Sequence, residues 1–171
     1  GVTVVTTRTG DGVPLGATVN AFTAVSLDPP LVQVALPRAS RAARHLGGSP
    51  FAINVLSNDQ MSVALHFAGQ VLDQGPEWTL GGTVPVLTGN AATLECRPWN
   101  IYDGGDHIIV LGEVVAMDIT QREPLLFFGG GFHRIGRRVG EARRDHSGDA
   151  PDAGWFSGSS SFTPLYVPKP H

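Results

Sequence analysis

Apolar and polar residues alternate along much of this chain with a period of two, which predicts short strands rather than long helices. Val2 to Thr7 (VTVVTT) is β-branched throughout and reads as a buried first strand. The turn signal Thr9-Gly10-Asp11-Gly12 follows it. From Gly16 to Pro30 (GATVNAFTAVSLDPP) a strand begins in which Ala17, Val19 and Ala21 alternate against Thr18 and Asn20. The small, polar side of that strand is expected to stay exposed, where a planar, hydrogen-bonding ligand could lie. Asp28-Pro29-Pro30 stops the strand, because neither proline can donate to a ladder. Val32 to Leu36 and Phe51 to Leu56 (FAINVL) read as further apolar strands.

Two short helices interrupt the strands. Ser40 to Leu46 has Ser40 as its N-cap and Gly47-Gly48 as its stop. Ser57 and Gln60 form an S-x-x-Q capping box, after which Met61, Ala64, Leu65 and Ala68 fall at helical spacing before Gly69. Residues 70–90 are loop-rich, with extended pieces around Trp78 and Val86. Ala91 to Arg97, His107 to Ile119 and Leu125 to Phe128 complete the predicted strands. From Gly140 onward the chain is polar and Gly/Ser-rich, with scattered aromatics at Trp155, Phe156, Phe162 and Tyr166. The expected organisation is one domain over 1–139 and an irregular tail over 140–171 that packs on the barrel or on a partner subunit. Many strands with few helices predict a mainly β, closed or partly closed antiparallel barrel; the β/α rhythm of a doubly wound fold is absent.

Composition narrows the function. Twelve basic residues stand against fifteen acidic ones, a formal charge of −3, so general attraction to nucleic-acid phosphates is not expected. No run reaches membrane-spanning length and the first residues carry no signal pattern. The single Cys96 has no internal disulfide partner, which suits a reducing, cytoplasmic setting. It lies in an apolar strand and reads as a small core residue rather than a nucleophile. The six histidines are dispersed, so no metal site is expected. A G-x-S-x-G elbow, an H-E-x-x-H motif and a Walker loop are all missing.

Three constellations could carry chemistry. In Leu36 to Arg44 (LPRASRAAR), Arg38, Arg41 and Arg44 surround a helix start capped by Ser40, an arrangement that suits a phosphate. The same residues suit a solvated basic surface with an ordinary cap, and residue types alone do not separate the two. Asp103-Gly104-Gly105-Asp106-His107 leads straight into a strand, so His107 either faces a cleft or forms a structural Asp-His pair. Phe128-Gly129-Gly130-Gly131-Phe132-His133 sets three glycines between aromatics, an edge over which a flat ring could stack. It is not a dinucleotide fingerprint, since no strand-turn-helix unit surrounds it.

Taken in order, these segments resemble the flavin reductase family of FMN-binding split barrels, the reductase components of two-component flavin monooxygenases. The carriers are G-x-T-x-N-A-F-T-A-V-S-L-D-P-P at 16–30, Ser40-Arg41, F-A-I-N-V-L-S-N-D-Q at 51–60, H-F-A-G at 66–69, D-G-G-D-H at 103–107 and P-L-L-F-F at 124–128. The resemblance implies an FMN-binding split β-barrel of antiparallel Greek-key type with one or two short helices. It also implies an NAD(P)H:flavin oxidoreductase that reduces FAD or FMN with NADH, or NADPH, and supplies reduced flavin to a partner monooxygenase. A flavin carrier or sensor without turnover, and a ferric reductase, share the fold. The implied flavin contacts are Pro14, Gly16, Thr18, Val19, Asn20, Ala21, Ser26, Ala68 and Gly69, with Arg38, Ser40 and Arg41 on the phosphate. His107, Gly129, Gly130, Gly131 and Phe132 would meet the nicotinamide, with His107 as the catalytic residue. Family members are homodimers with flavin near the subunit interface, and they usually carry a helical segment before the first strand.

Overall fold

The structure, a computed structural model, describes residues 1–71, 75–137 and 139. The predicted tail over 140–171 lies outside the described residues.

The first hairpin pairs β1 (Thr3–Arg8) with β2 (Pro14–Val19) through the predicted turn, where Gly12 takes a positive φ of 82°. The β-branched run of β1 is buried on both faces, and its threonines stay paired inside. Thr3 Oγ1 donates to Val19 O at 2.7 Å, Thr6 Oγ1 to Pro85 O at 2.9 Å and Thr7 Oγ1 to Pro50 O at 3.0 Å. After a corner at Asn20-Ala21 come β3 (Phe22–Leu27), β4 (Pro30–Pro37), α1 (Arg41–His45), β5 (Phe51–Val55) and α2 (Met61–Phe67). A small hairpin of β6 (Trp78–Leu80) and β7 (Pro85–Leu87) precedes the long strands β8 (Ala92–Gly104) and β9 (His107–Ile119). A last hairpin, β10 (Leu126–Phe128) and β11 (Gly131–His133), ends the described chain.

Seven strands form one antiparallel sheet in the order β2-β1-β5-β8-β9-β4-β3. Its two edge strands, β2 and β3, are consecutive in the chain, and β2 also approaches β4. The sheet therefore curls on itself, as the predicted barrel requires. Its inner face buries Val5, Val34, Leu36, Phe51, Ile53 and Val110, and α1 contributes Ala42, Ala43 and Leu46 to the same cluster. The outer face of β1 packs Val2 and Val4 with Leu56, Leu87, Leu125 and Ala64 of α2. Each fully buried Val, Leu, Ile or Phe side chain among these contributes about 1.5–3 kcal/mol. Buried Asn54 ties the layers together: Nδ2 donates to Val4 O at 2.9 Å, and Oδ1 accepts from Leu87 N at 2.9 Å and Asn90 Nδ2 at 3.0 Å. Cys96 is fully buried, and that burial pushes its thiol pKa up, which fits the core role expected of it.

Three features differ from the sequence-based expectation. The strand beginning at Gly16 does not run on through Ala21 but breaks there, because β2 must pair with β1 and β3 with β4 on opposite edges. The polar side of β2 is also not open. Thr18 Oγ1 donates to Ala64 O at 2.7 Å, and a Cβ on Gly16 would lie 2.5 Å from Phe67 Cε1, so α2 covers that face. The strand from Ala91 continues past Arg97 to Gly104. Its outer half is exposed and interrupted by Pro98, but it follows β9 through register shifts near Cys96 and Pro98.

The capping box is only half built. Gln60 Oε1 accepts from Ser57 N at 2.8 Å, while Ser57 Oγ is buried without a partner and Gln60 itself is the N-cap of α2. Ser57 is instead held in an isolated bridge to Pro124.

Candidate active site

The exposed corner at Asn20-Ala21 joins β2 to β3, and the predicted site residues fall into two groups, one along β2 and α2 and one where β4 ends. Phe22 N donates to Asn20 O within the corner and Ala35 N to Ala21 O, both at 3.0 Å, so the Ala21 carbonyl anchors the corner to β4. Among the described residues, the Asn20 and Ala21 N–H groups and the Asn20 side-chain amide meet no partner. A row of free donors on an ordered corner can hold the acceptor edge of a planar ligand.

One group lies on the α2 side. Gly16 and Thr18 pack directly against α2, which ends in the exposed pair Ala68-Gly69, with Gly69 at φ +104°. The β10–β11 hairpin joins this side, since Phe132 packs on the cluster holding Ala64 and meets Phe127 edge-on at 5.2 Å. Gly129 and Gly130 have φ of +57° and +83°, the signature of a tight two-residue turn that needs glycine. The run predicted as an edge is thus the tip of a hairpin, with Phe128 79% exposed beside it.

The other group lies where β4 ends. Ser40 caps α1, its Oγ accepting from Ala43 N at 3.0 Å, and Ser40 N donates to Pro37 O at 2.9 Å. Arg41 is exposed and in no ion pair among the described residues. Arg44 folds back onto Ala39 O at 3.2 Å. Pro37 pairs with His107 across β4 and β9, which brings residues seventy apart in sequence side by side.

Gly105-Asp106 forms the two-residue turn between β8 and β9. Gly105 has φ +77°, and among the described residues no non-glycine has a positive φ. Arg38 reaches this tip: its N donates to Asp106 O at 3.0 Å, its Nε to Gly105 O at 2.7 Å, and its Nη2 lies 2.7 Å from Asp103 Oδ2. The Gly105 N–H and then the Arg38 charge hold the Asp103 carboxyl below the usual carboxylate range. The hydrogen bond from His107 and then its charge do the same for Asp106. His107 Nδ1 lies 2.7 Å from Asp106 Oδ1. An ionised carboxylate only accepts, so Nδ1 carries a proton and Nε2 is the ring atom left for a ligand.

Some predicted residues stand apart. Pro14 lies at the far end of β2, opposite Arg8, and Ser26 sits along β3 opposite Leu31. Val19 turns its side chain into the barrel core, so only its backbone could reach a ligand. The grip of Arg38 on Asp103 was not foreseen, and no local signal connects residues so far apart in sequence. A groove of about 620 Å³ lies elsewhere, between the β6–β7 hairpin and the bases of β8 and β9, and none of the predicted site residues line it. Among the described residues no three of His, Cys, Asp or Glu are grouped to hold a metal ion. Nor is any helix there long and apolar enough to cross a membrane.

The family model described as "Flavin reductase like domain" matches residues 1–136. The chain is 43% identical over 144 residues to the FMN reductase (NADH) SmoA of Agrobacterium fabrum, covering 81% of this chain and 80% of that protein. It is 38% identical over 142 residues to HsaB of Rhodococcus jostii, the reductase subunit of a flavin-dependent monooxygenase, covering 79% and 71%. Among solved structures, the Streptomyces globisporus NADH:FAD oxidoreductase SgcE6, in complex with NAD and FAD fragments, superposes with a TM-score of 0.74. That likeness has 40% identity and covers 82% of this chain and 87% of that one. The chain belongs to the flavin reductase like domain family.

Proposed function

We propose that this protein is an NADH-dependent flavin reductase that passes reduced flavin to a separate monooxygenase. The observation that carries the reading is the Asn20-Ala21 corner. Its donors meet no partner among the described residues, and it joins β2, which packs on α2, to β3 beside β4, whose last residue pairs with His107, in a chain of the flavin reductase like domain family. Flavin, when bound, supplies the hydride acceptor, and NADH the donor.

The residues need only bind and orient two flat rings at reacting distance. Thr18 to Ala21 hold the polar edge of the isoalloxazine, chiefly through backbone groups, because the Thr18 hydroxyl is already given to Ala64. Ser40 and Arg41 hold the phosphate, and Ala68-Gly69 offer a close, side-chain-poor approach. Phosphate alone does not separate FAD from FMN. His107 and the Gly129–Phe132 tip meet the nicotinamide, where His107 Nε2 orients the carboxamide. The corner donors, which meet no partner among the described residues, and exposed Arg41 suit a ligand that enters and leaves, as a flavin handed to a second enzyme must.

The protein works as a homodimer. Edge strand β3 exposes Val25 and Leu27, and the outer half of β8 exposes Trp99 and Tyr102, apolar surface that a second copy would cover. Residues 1–139 form the reductase domain, and the 140–171 tail packs on it or on the partner subunit. A cytoplasmic setting supplies the NADH.

The test is an anaerobic titration with NADH after adding FAD, then FMN, following loss of the oxidised flavin's visible absorbance. Rapid bleaching with either flavin is expected and identifies the preferred one. Tight flavin binding without bleaching would replace this reading with that of a carrier, and no binding of either flavin would remove both.

A further inference from the structure

Arg38 was a candidate phosphate ligand, but its side chain is held by the turn that carries His107. Three of its nitrogens are engaged there: N with Asp106 O, Nε with Gly105 O, and Nη2 with Asp103 Oδ2. Both Asp103 oxygens serve the same turn, since Oδ1 accepts from Gly105 N at 2.8 Å. An exposed ion pair adds little to global stability. What these contacts restrict is position, because the planar guanidinium grips a carbonyl and a carboxylate at once and so limits how the tip can swing. The next residue of the tip, Asp106, holds His107 Nδ1 at 2.7 Å.

We propose that Arg38 and Asp103 are positioning residues: together they fix the Gly105-Asp106 tip and thereby hold the Asp106–His107 pair against the nicotinamide. The proposal rests on the reading that His107 meets the nicotinamide. It leaves Arg41 as the arginine available to the flavin phosphate. Displacement of the tip by an ångström would misplace Nε2 and slow turnover without touching the flavin's own contacts.

The test uses the full chain and four variants: Arg38→Ala, Asp103→Asn, the double variant, and His107→Ala. For each, NADH kcat and KM are measured at saturating flavin, and the Kd of FMN and FAD is measured separately. Arg38→Ala and Asp103→Asn are each expected to lower NADH kcat/KM by roughly five- to fiftyfold, mainly through KM, with flavin Kd within about twofold. The double variant should be no worse than the poorer single one, because both remove one grip. Arg38→Lys should not rescue, since a point charge cannot hold two acceptors in the same fork.

Weaker flavin binding with unchanged NADH kinetics in Arg38→Ala would overturn the proposal and return Arg38 to the phosphate. Additive losses in the double variant, or no change in either single one, would also overturn it. If His107→Ala leaves NADH kinetics intact, the reading of His107 falls and this proposal with it. If His107→Ala is crippled while Arg38→Ala and Asp103→Asn are normal, only this proposal falls.

Discussion

The β8–β9 hairpin turns at Gly105-Asp106 and the β10–β11 hairpin at Gly129-Gly130, and both tips belong to the proposed nicotinamide site. Their foundations differ. β8 and β9 are thirteen residues each, are flanked by β5 and β4, and reach into the core through Cys96, Val110 and Val114. β10 and β11 are three residues each and, among the described residues, pair with one another alone. The first tip is gripped from outside by Arg38, whereas the side-chain hydrogen bond at the second, His133 Nε2 with Phe128 O at 3.1 Å, comes from within its own hairpin. The comparison teaches that a glycine run signals a turn, while the precision of that turn depends on what holds its base. A fixed His107 and an open aromatic edge suit different tasks, one orienting a polar group and the other admitting and releasing a ring.

The largest expected effect comes from breaking the base of the first hairpin. A Cβ at Gly112 of β9 would lie 2.4 Å from Phe51 Cζ and 2.8 Å from Cys96 Cβ. Gly112→Val should therefore cost about 1–3 kcal/mol or more by overpacking, read as a shift in denaturant midpoint. Gly131→Ala on β11 meets His133 Nε2 at 3.5 Å and Phe128 O at 3.9 Å, both ordinary contacts, and should stay within about 0.5 kcal/mol of the parent. Equal losses would show that the two hairpins rest on equally tight bases.

Hydrogen exchange sharpens the contrast without substitution. Amides of β9 around Val110 and Val114 should open only with global unfolding, whereas those of β10 and β11 should exchange through local opening, faster by orders of magnitude. Matching protection in the two hairpins would overturn the comparison.

The smallest effect is in acid. The folded-state pKa values of Asp103 and Asp106 lie below the ordinary value of 3.8. Such groups add stability that is fully present above 3.8 and is lost as pH falls through the lower folded value. The first tip should thus loosen only below the usual carboxylate range, and neither group should inflect NADH kinetics between about pH 5 and 8. A carboxyl NMR titration placing either group at or above 3.8 would remove the tight ion pair or the Asp-His bond in solution.

Much of the fold was legible in local pattern. Two-residue alternation, the β-branched opening run, the Ser40 cap and the Gly-containing turns named nearly every element, because each depends on a few neighbouring residues. The site was legible as a set of separate segments. Thr18 to Ala21, Ser40-Arg41 and Asp103 to His107 stood out by residue type, but nothing local joined them.

What the sequence determined by itself was therefore the kind of each element and the chemistry each could offer. The tertiary structure alone decided that α2 would cover the polar face of β2, leaving only the Asn20-Ala21 corner open. It decided also that Arg38 would grip Asp103 across the β8–β9 turn. Both outcomes follow from pairing partners far apart in the chain, with β4 set against β9 and β2 packed against α2. Local propensity carries no information about such neighbours, since the closure of the sheet selects them.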